Sequence, residues 1–426
     1  MELIGLARGI HVASGHVACI NERFNWPEME PAPLPPDFSA RLQAMAEVIV
    51  RVGLNLQPGQ PLLIGDPYDL QGVHPEATPF VTAIRTAASG PVTVIEGDPD
   101  RLRRLVETDD LAGFESLVVA NTRRLRAHLA QGGAFLFLPG SMPRLLAGLP
   151  DERLGRFDGV KWRHLGPIIQ RLIRGASQWT LAAVPTSAWA ALAHADLPSD
   201  QRMAALWETV FQAMRVSIPG TRSLAPDPVG TWRAHLEDLT RRRDELNVAR
   251  YRRIRYVGPG TELTLELPRS HAWCTAQLAT KSGLAFVVNL PTEEIFTAPN
   301  KGSATGRVRI SRPVTHGGAL IEGIELQFRR GRVTTATAAV NGGLLQRLLA
   351  TDDGADRIGE VALVPGRERL AWGGRCLHHI LLDENATPHV ALGDAYRFCS
   401  RALLPLAINS SQVHLDLPLD ANVELL

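Results

Sequence analysis

Cysteine is scarce in this chain of 426 residues, and its spacing excludes both a disulfide framework and a structural zinc knuckle. No CxxC pair occurs among the four cysteines, which are Cys19, Cys274, Cys376 and Cys399. No apolar run approaches the roughly 18 residues of a membrane helix, and no basic segment precedes the apolar residues at the start. We therefore expect a cytoplasmic protein with reduced thiols and no membrane association.

An excess of charge of one sign is also lacking. The formal net charge is +1, so no overall field would attract nucleic acid or an anionic membrane. Basic clusters at 241–243 and 250–255 lie beside acidic residues or at segment ends, and we interpret them as solvated helix faces. We expect no nucleic-acid partner.

Three common catalytic motifs are missing from the sequence. There is no HExxH helix for a single zinc ion and no GxSxG turn for a nucleophilic serine. The segment KGSATGR (301–307) lacks the GK[ST] ending of a phosphate-binding loop and is interpreted as a turn before a strand. The segment GPGT at 258 is interpreted as a hairpin turn.

The composition and hydrophobic periodicity of the chain predict an N-terminal arm and two domains. Residues 1–44 are assigned to an N-terminal arm, because PEMEPAPLPPDF (27–38) is rich in proline. A helical pattern starts at Ala40, and short apolar runs near 61, 91, 134 and 180 then alternate with amphipathic segments. This rhythm predicts an α/β domain over 45–247, with a mostly parallel sheet and flanking helices.

Residues 248–426 have a different pattern, in which polar and apolar residues alternate and β-branched residues are frequent. Two helical stretches interrupt it, at about 340–352 and 390–402. The pattern predicts a strand-rich α+β domain.

Acidic and imidazole side chains occur in this second domain where strands are expected. Glu293 and Glu294 follow one apolar strand, and Glu360 begins another. His414 and Asp416 alternate with leucines, so both point to one side of a strand. A buried charge costs several kcal/mol unless it is paired or binds a metal.

His389 and Tyr396 are seven residues apart in a stretch with a helical pattern, and two helical turns would place them on one face. Each residue by itself is compatible with a solvent-facing strand end or a hydrogen-bonded core position. Two imidazoles and at least three carboxylates in one domain suit two divalent ions that share a bridging carboxylate. The residues alone leave both interpretations open.

Four segments, in chain order, resemble the metal-binding stretches of the aminopeptidase T / aminopeptidase S family: NLPTEEIFTAP, IGEVALVP, DENATPHVALGDAY and NSSQVHLD. The resemblance extends back to VGLNLQPGQPLLI and covers roughly residues 45–417. It implies an α/β N-terminal domain and a C-terminal domain with two divalent ions of zinc, cobalt or manganese. It also implies a homodimer that removes N-terminal residues from peptides or similar amides with a free N-terminus.

By this resemblance the metal ligands are Glu294, Glu360, His389, His414 and Asp416, and the site tyrosine is Tyr396. Glu294 is chosen over Glu293 because the family's glutamate directly precedes an apolar-Phe-Thr step. The implied mechanism is hydrolysis by a water shared between the two ions. Glu360 bridges the ions or accepts a proton, and Tyr396 supports the oxyanion.

Three segments depart from the family pattern, and the first is the arm of about 40 N-terminal residues, which does not align with the family. CLHHILL (376–382) stands where the family tends to have aromatic residues, so His378 and His379 are unexplained; we expect structural or pocket-lining roles for them. The end of the chain after Asp416 lacks the family's Met/Ile-Gly-Ser continuation, which indicates an altered pocket. Asp383, Glu384 and Asn385 are expected to shape the turn before His389 and to orient the ligands.

Two other functions were considered. Relatives on this scaffold resemble 2,5-dihydroxypyridine dioxygenases, and His389, His414 and Asp416 alone would form a two-His, one-carboxylate site for one ferrous ion. Glu294 and Glu360, which such a site does not need, favour the hydrolase. The third function, a non-catalytic relative, is disfavoured because the ligand set is complete.

Overall fold

The computed structural model describes residues 34, 37–218, 221–316, 319–365 and 375–426, so most of the expected arm lies outside the described residues. The helices are α1 (Phe38–Val48), α2 (Thr78–Ala87), α3 (Pro99–Glu107), α4 (Leu111–Ala130), α5 (Asp151–Ile173), α6 (Ser187–Ala193), α7 (Ser199–Ala213), α8 (Pro228–Ala249), α9 (Gly342–Leu349) and α10 (Ile380–Asp383). None of the helices in these ranges is long and apolar enough to cross a bilayer.

The strands fall into an N-terminal group of four and a longer C-terminal series. The first group is β1 (Leu62–Gly65), β2 (Val92–Val94), β3 (Ala134–Phe137) and β4 (Trp179–Ala182). The second is β5 (Arg253–Gly258), β6 (Thr261–Glu266), β7 (Gln277–Ala279), β8 (Ala285–Val287), β9 (Asn289–Leu290), β10 (Ile295–Thr297), β11 (Thr305–Arg309), β12 (Val314–His316), β13 (Ala319–Ile321), β14 (Glu325–Arg329), β15 (Arg332–Thr337), β16 (Ile358–Leu363), β17 (His389–Gly393), β18 (His414–Pro418) and β19 (Asn422–Leu425).

The N-terminal region is built on a five-stranded parallel sheet with the order β2-β1-β3-β4-β9. Its first four strands are the four apolar runs, and every residue of β1 and β3 is buried. Aspartates cap several of the helices: the side chains of Asp98, Asp110 and Asp227 accept backbone N–H groups at the starts of α3, α4 and α8. The predicted α/β architecture is confirmed.

The fifth strand of this sheet comes from beyond the expected domain boundary. The short strand β9 pairs in parallel with β4, and the side chain of Leu290 is fully buried. Leu377, Leu381 and Leu382 join the same apolar core from still further along the chain. The two regions therefore share a core and a sheet.

The C-terminal region is dominated by antiparallel sheets, as predicted. One has six strands in the order β15-β14-β11-β6-β5-β19, and another has four in the order β10-β16-β17-β18. The GPGT segment is the turn between β5 and β6, and KGSATGR leads into β11. The helix predicted at 340–352 is present as α9.

The helix predicted at 390–402 is wrong. Residues 389–393 form β17, all of them buried between β16 and β18, and a 3-10 turn (Arg397–Cys399) follows. Gly393 has a φ of +96°, and a Cβ there would lie 2.0 Å from the carbonyl oxygen of Val413. A short apolar run such as VALG has no periodicity that separates a buried strand from a buried helix, and pairing with the neighbouring strands decides the outcome.

Candidate metal centre

The register of the four-stranded sheet collects the predicted residues on one face. Glu360 on β16 lies opposite Ala391 on β17, and Ala391 lies opposite Asp416 on β18. His389 and His414 are each two residues along their strand from this row, so they share its face. The residues between them on the strands point into the apolar core. The small Ala391 side chain leaves room between the two carboxylates.

Glu293 and Glu294 have opposite surroundings. Glu294 directly precedes β10, and its Oε2 lies 3.2 Å from His389 Nε2. Glu293 is only 1% exposed, and both of its carboxylate oxygens accept hydrogen bonds from Arg215, while His235 Nε2 lies 3.3 Å away. Glu293 is therefore held in an ion pair, and Glu294 faces the histidine.

The five residues form two triads that share Glu360. The ligand-type atoms of Glu294, Glu360 and His389 lie within 4.8 Å of one another, and so do those of Glu360, His414 and Asp416. The two oxygens of Glu360 divide between the triads: Oε1 lies 3.8 Å from His389 Nε2, and Oε2 lies 4.0 Å from His414 Nε2.

The orientation of the two imidazoles fits a cation site. His389 Nδ1 lies 3.2 Å from the carbonyl oxygen of Glu384, and His414 Nδ1 lies 3.0 Å from that of Asp394. A carbonyl only accepts, so each Nδ1 carries a proton and each Nε2 is turned toward the carboxylates. The Nε2 atoms of His389 and His414 lie 3.2 and 3.4 Å from oxygens of Glu294 and Asp416. Such a contact is satisfied by a second proton on the ring or by a metal ion, and the set of imidazole and carboxylate donors fits a metal ion.

The electrostatic field at the centre is negative. Burial lowers the pKa of His389, but hydrogen bonds with Glu294 and Glu360 outweigh it and hold that pKa well above 6.5. Burial also lowers the pKa of His414, but the negative charges of Asp416 and Glu360 outweigh burial and raise this pKa to about 10. The carboxylates around each imidazole therefore stabilise positive charge on the ring.

Glu384 belongs to the same cluster, although the sequence interpretation gave it only a supporting role. Its carboxyl group hydrogen-bonds that of Asp416, and burial with Asp416 and Glu294 raises the pKa of Glu384 well above its usual value. Asn289 Nδ2 and Asn385 Nδ2 lie 3.4 and 3.3 Å from its Oε1. The contact with Asp416 depends on how the turn 384–386 meets β18, for which the sequence carries no periodic signal.

Tyr396 reaches the centre from the turn after β17 and not from a helix face. Its ring stacks on Phe398, with centroids 5.2 Å apart and planes 8° apart, and its centroid lies 5.1 Å from that of His414. Burial, Glu360 and Asp416 raise the pKa of Tyr396 well above 10. The phenol therefore stays protonated as a hydrogen-bond donor beside the triads.

A cavity of about 2350 Å³ separates this face from the N-terminal region. The opposite wall includes Tyr68 and Gly140, from the loops that follow β1 and β3. The strand order reverses between β1 and β3, and open α/β sheets bind ligands at the carboxyl ends of strands at such a point. Sequence reasoning missed Tyr68, because the sheet order that places it there is not visible in one sequence.

The two unexplained histidines line the same cavity. His379 is buried, with its ring centroid 4.7 Å from that of Trp189 and its Nε2 3.0 Å from the carbonyl oxygen of Pro139. His378 adopts a φ of +55°. These positions agree with the structural and pocket-lining roles expected for the pair.

Comparison with known proteins gives a consistent result. The family model described as thermophilic metalloprotease (M29) matches residues 38–423. Aminopeptidase T of Thermus thermophilus is 35% identical over 389 residues, which cover 89% of this chain and 92% of that protein. Aminopeptidase AmpS of Bacillus subtilis is 30% identical over 391 residues, with coverages of 89% and 92%. The solved structure of wild-type AmpT from Thermus thermophilus superposes with a TM-score of 0.79 at 34% identity, covering 91% of this chain and 96% of that one.

Proposed function

Because this chain belongs to the M29 family of thermophilic metalloproteases, it is a metal-dependent aminopeptidase, and we propose that its centre holds two divalent ions. The observation that carries this proposal is the pair of triads that share Glu360. Charge supports divalent ions at this centre: the carboxyl groups of Glu294, Glu360, Glu384 and Asp416 crowd into one buried cluster, and bound dications would stabilise their ionised forms.

The ligands in this proposal are Glu294 and His389 on one side, His414 and Asp416 on the other, and Glu360 between them. The contact of Glu384 with Asp416 supports it as a further oxygen ligand on the second side. The mixture of imidazole and carboxylate donors suits zinc, cobalt or manganese.

When bound, the ions would lower the pKa of a shared water and hold the free amine of a peptide. Glu360 accepts a proton from the reacting water, because its carboxylate lies between the two triads. Tyr396 donates a hydrogen bond to the oxyanion of the tetrahedral intermediate. The wall that carries Tyr68 covers the rest of the peptide and limits its access to water.

The one-iron dioxygenase alternative finds no support among the relatives named above, which are peptidases. The position of Glu360 also argues against it. Its carboxylate faces both His389 and His414 within 4.0 Å, so it would be a charged neighbour without a role in a site of two histidines and one aspartate.

Metal analysis combined with peptide hydrolysis tests the proposal. We expect about two zinc, cobalt or manganese ions per chain and release of N-terminal residues from short unblocked peptides, with loss of both on chelation. Glu360→Gln should abolish turnover, whereas Glu266→Gln, at the exposed last residue of β6, should leave it intact. One iron per chain with oxygen consumption on a hydroxypyridine would overturn the proposal.

We also propose a cytoplasmic homodimer. The free thiols of Cys274, Cys376 and Cys399 support a reducing compartment. Leu403, with a fully exposed side chain, stands with the exposed Leu404 and Leu406 in one apolar stretch of the kind that subunit interfaces cover. Sedimentation equilibrium should give twice the chain mass, and Leu403→Lys should shift the protein toward the monomer. A wild-type monomer at micromolar concentration would contradict the dimer.

A further inference from the structure

Two thiols that the proposed mechanism does not use meet beside the metal centre. The segment around Cys274 lies between two neighbours: Cys274 N donates to Phe296 O at 2.8 Å, and Ala272 N donates to Cys399 O at 2.8 Å. Cys274 Sγ lies 3.7 Å from the carbonyl oxygen of Phe398, the residue before Cys399, and Cys274 packs against the apolar cluster that contains Cys399. Residues far apart in sequence are thus brought together as a pair of cysteines.

The two thiols differ in accessibility. Cys274 is half-buried and lines the cavity that holds the centre. Cys399 is 1% exposed and is enclosed by apolar residues, which are Phe296, Ala298, Ala362, Ala395 and Ile408. A small solute in the cavity therefore reaches Cys274 first, and Cys399 is the thiol next to it.

The two cysteines also lie next to Tyr396, the proposed oxyanion donor. Cys399 ends the 3-10 turn that begins directly after Tyr396, and Phe398 within this turn stacks on the Tyr396 ring. On the other side, Phe296, which is paired with Cys274, lies two residues after Glu294. A covalent change at the pair would be transmitted to both sides of the centre.

We propose that Cys274 and Cys399 are an oxidation site at which hydrogen peroxide forms a disulfide that switches off hydrolysis. The Cys274 thiolate attacks peroxide, so that an S–O bond forms, the O–O bond breaks and the leaving hydroxide takes up a proton as water. The Cys399 thiol then attacks the sulfenic sulfur, an S–S bond forms, and the second oxygen leaves as water. Two thiols are oxidised and one peroxide is reduced to two waters.

The disulfide inactivates the centre because two bonded sulfurs lie about 2 Å apart, closer than any non-bonded packing of the two thiols allows. Bonding draws the turn after Tyr396 toward Cys274 and moves the phenol from its place beside His414. This effect on turnover rests on the proposed aminopeptidase function, whereas the formation of the disulfide does not.

Peptide mapping of the oxidised protein tests the site independently of activity. The full-length, zinc-loaded protein is treated with hydrogen peroxide, free thiols are blocked, and digested peptides are analysed by mass spectrometry before and after reduction. We expect one cross-linked species that joins the peptides of Cys274 and Cys399, with peptide hydrolysis lost in step and restored by dithiothreitol. A cross-link to Cys376, or oxidation of Cys274 to sulfinic acid with no cross-link, would overturn the proposal.

Single substitutions provide a second test of the oxidation site. Cys274→Ser and Cys399→Ala should keep basal hydrolysis within about threefold of wild type and resist reversible inactivation, and Cys399→Ala should accumulate sulfenic acid at Cys274 that a dimedone probe labels. Cys376→Ser is the matched control, since its thiol contacts Asp383 Oδ2 at 3.5 Å, and it should respond like wild type. If the cross-link forms but turnover is absent in every sample, the proposed function fails and the oxidation site stands.

Discussion

Among single residues, Tyr396 has the sharpest expected kinetic effect. Its phenol is protonated, since burial, Glu360 and Asp416 raise its pKa well above 10, and it lies beside His414. We expect Tyr396→Phe to lower kcat by about 10²-fold with a smaller change in KM, because an oxyanion donor acts in the transition state. Tyr251→Phe, a half-buried tyrosine elsewhere, is the control. If steady-state kinetics showed an unchanged kcat, Tyr396 would contribute only packing and would not be an oxyanion donor.

A second prediction concerns the ion pair between Arg215 and Glu293, the residue before Glu294. Both oxygens of Glu293 accept from the Arg215 guanidinium, and both side chains are buried. Arg215→Met should lower the free energy of unfolding by about 3–5 kcal/mol, because it leaves a buried carboxylate without its partner. Arg241→Met removes exposed pairs with Asp238 and Glu245 and should cost less than about 1 kcal/mol. Denaturant titration measures both, and equal losses would contradict this account.

Residues of the centre differ in how far the sequence identifies them. His414 and Asp416 are identified by strand alternation, which the burial of Leu415 and Leu417 bears out. Glu294 and Glu293 are adjacent and chemically alike, and what separates them is the distant Arg215. A pattern within one segment contains no information about a partner in another, and the contact of Glu384 with Asp416 is not visible in the sequence for the same reason.

At the level of elements, the centre depends on a small residue in the middle of β17. Ala391 lies between Glu360 and Asp416 in one row across three strands. Ala391→Val keeps a good strand former but fills the space between the carboxylates, so metal content per chain should fall and activity with it. Ala336→Val, at a half-buried position of β15, is the control. Elemental analysis with retained circular dichroism checks this, and full metal content in Ala391→Val would refute it.

Elements were predictable where burial on both faces or regular alternation left a clear pattern. The four apolar runs of the N-terminal region became β1 to β4, and α9 appeared where its pattern indicated. β17 failed because all of its residues are buried, so its sequence has neither a helical nor a strand period.

For the whole molecule, bound cations should contribute to stability. Without them, the carboxylates of Glu294, Glu360, Glu384 and Asp416 face one another in a buried cluster. We expect EDTA to lower the Tm by roughly 5 °C or more, since ligands that bind only the folded state stabilise it. A Glu294→Gln/Asp416→Asn double variant should respond less to EDTA in scanning calorimetry. An identical Tm of the wild type with and without EDTA would count against a metal-stabilised fold.

The division of the chain into a parallel-sheet half and a strand-rich half was predictable from composition and periodicity. The sharing of a sheet between the halves was not, because β9 is only two residues long and its partner β4 lies in the other half. Such a strand is defined by what it pairs with and not by its own sequence.

The pairing of the two-residue strand β9 with β4 also affects how the chain folds while it is being synthesised. β4 ends at Ala182, and the strand that covers its open edge begins only at Asn289. At translation rates of about 5–20 residues per second, the nascent sheet keeps β4 uncovered for roughly 5–20 seconds. In that interval the edge can pair with other growing chains on the same message, so we expect the N-terminal half to need chaperone protection as it emerges.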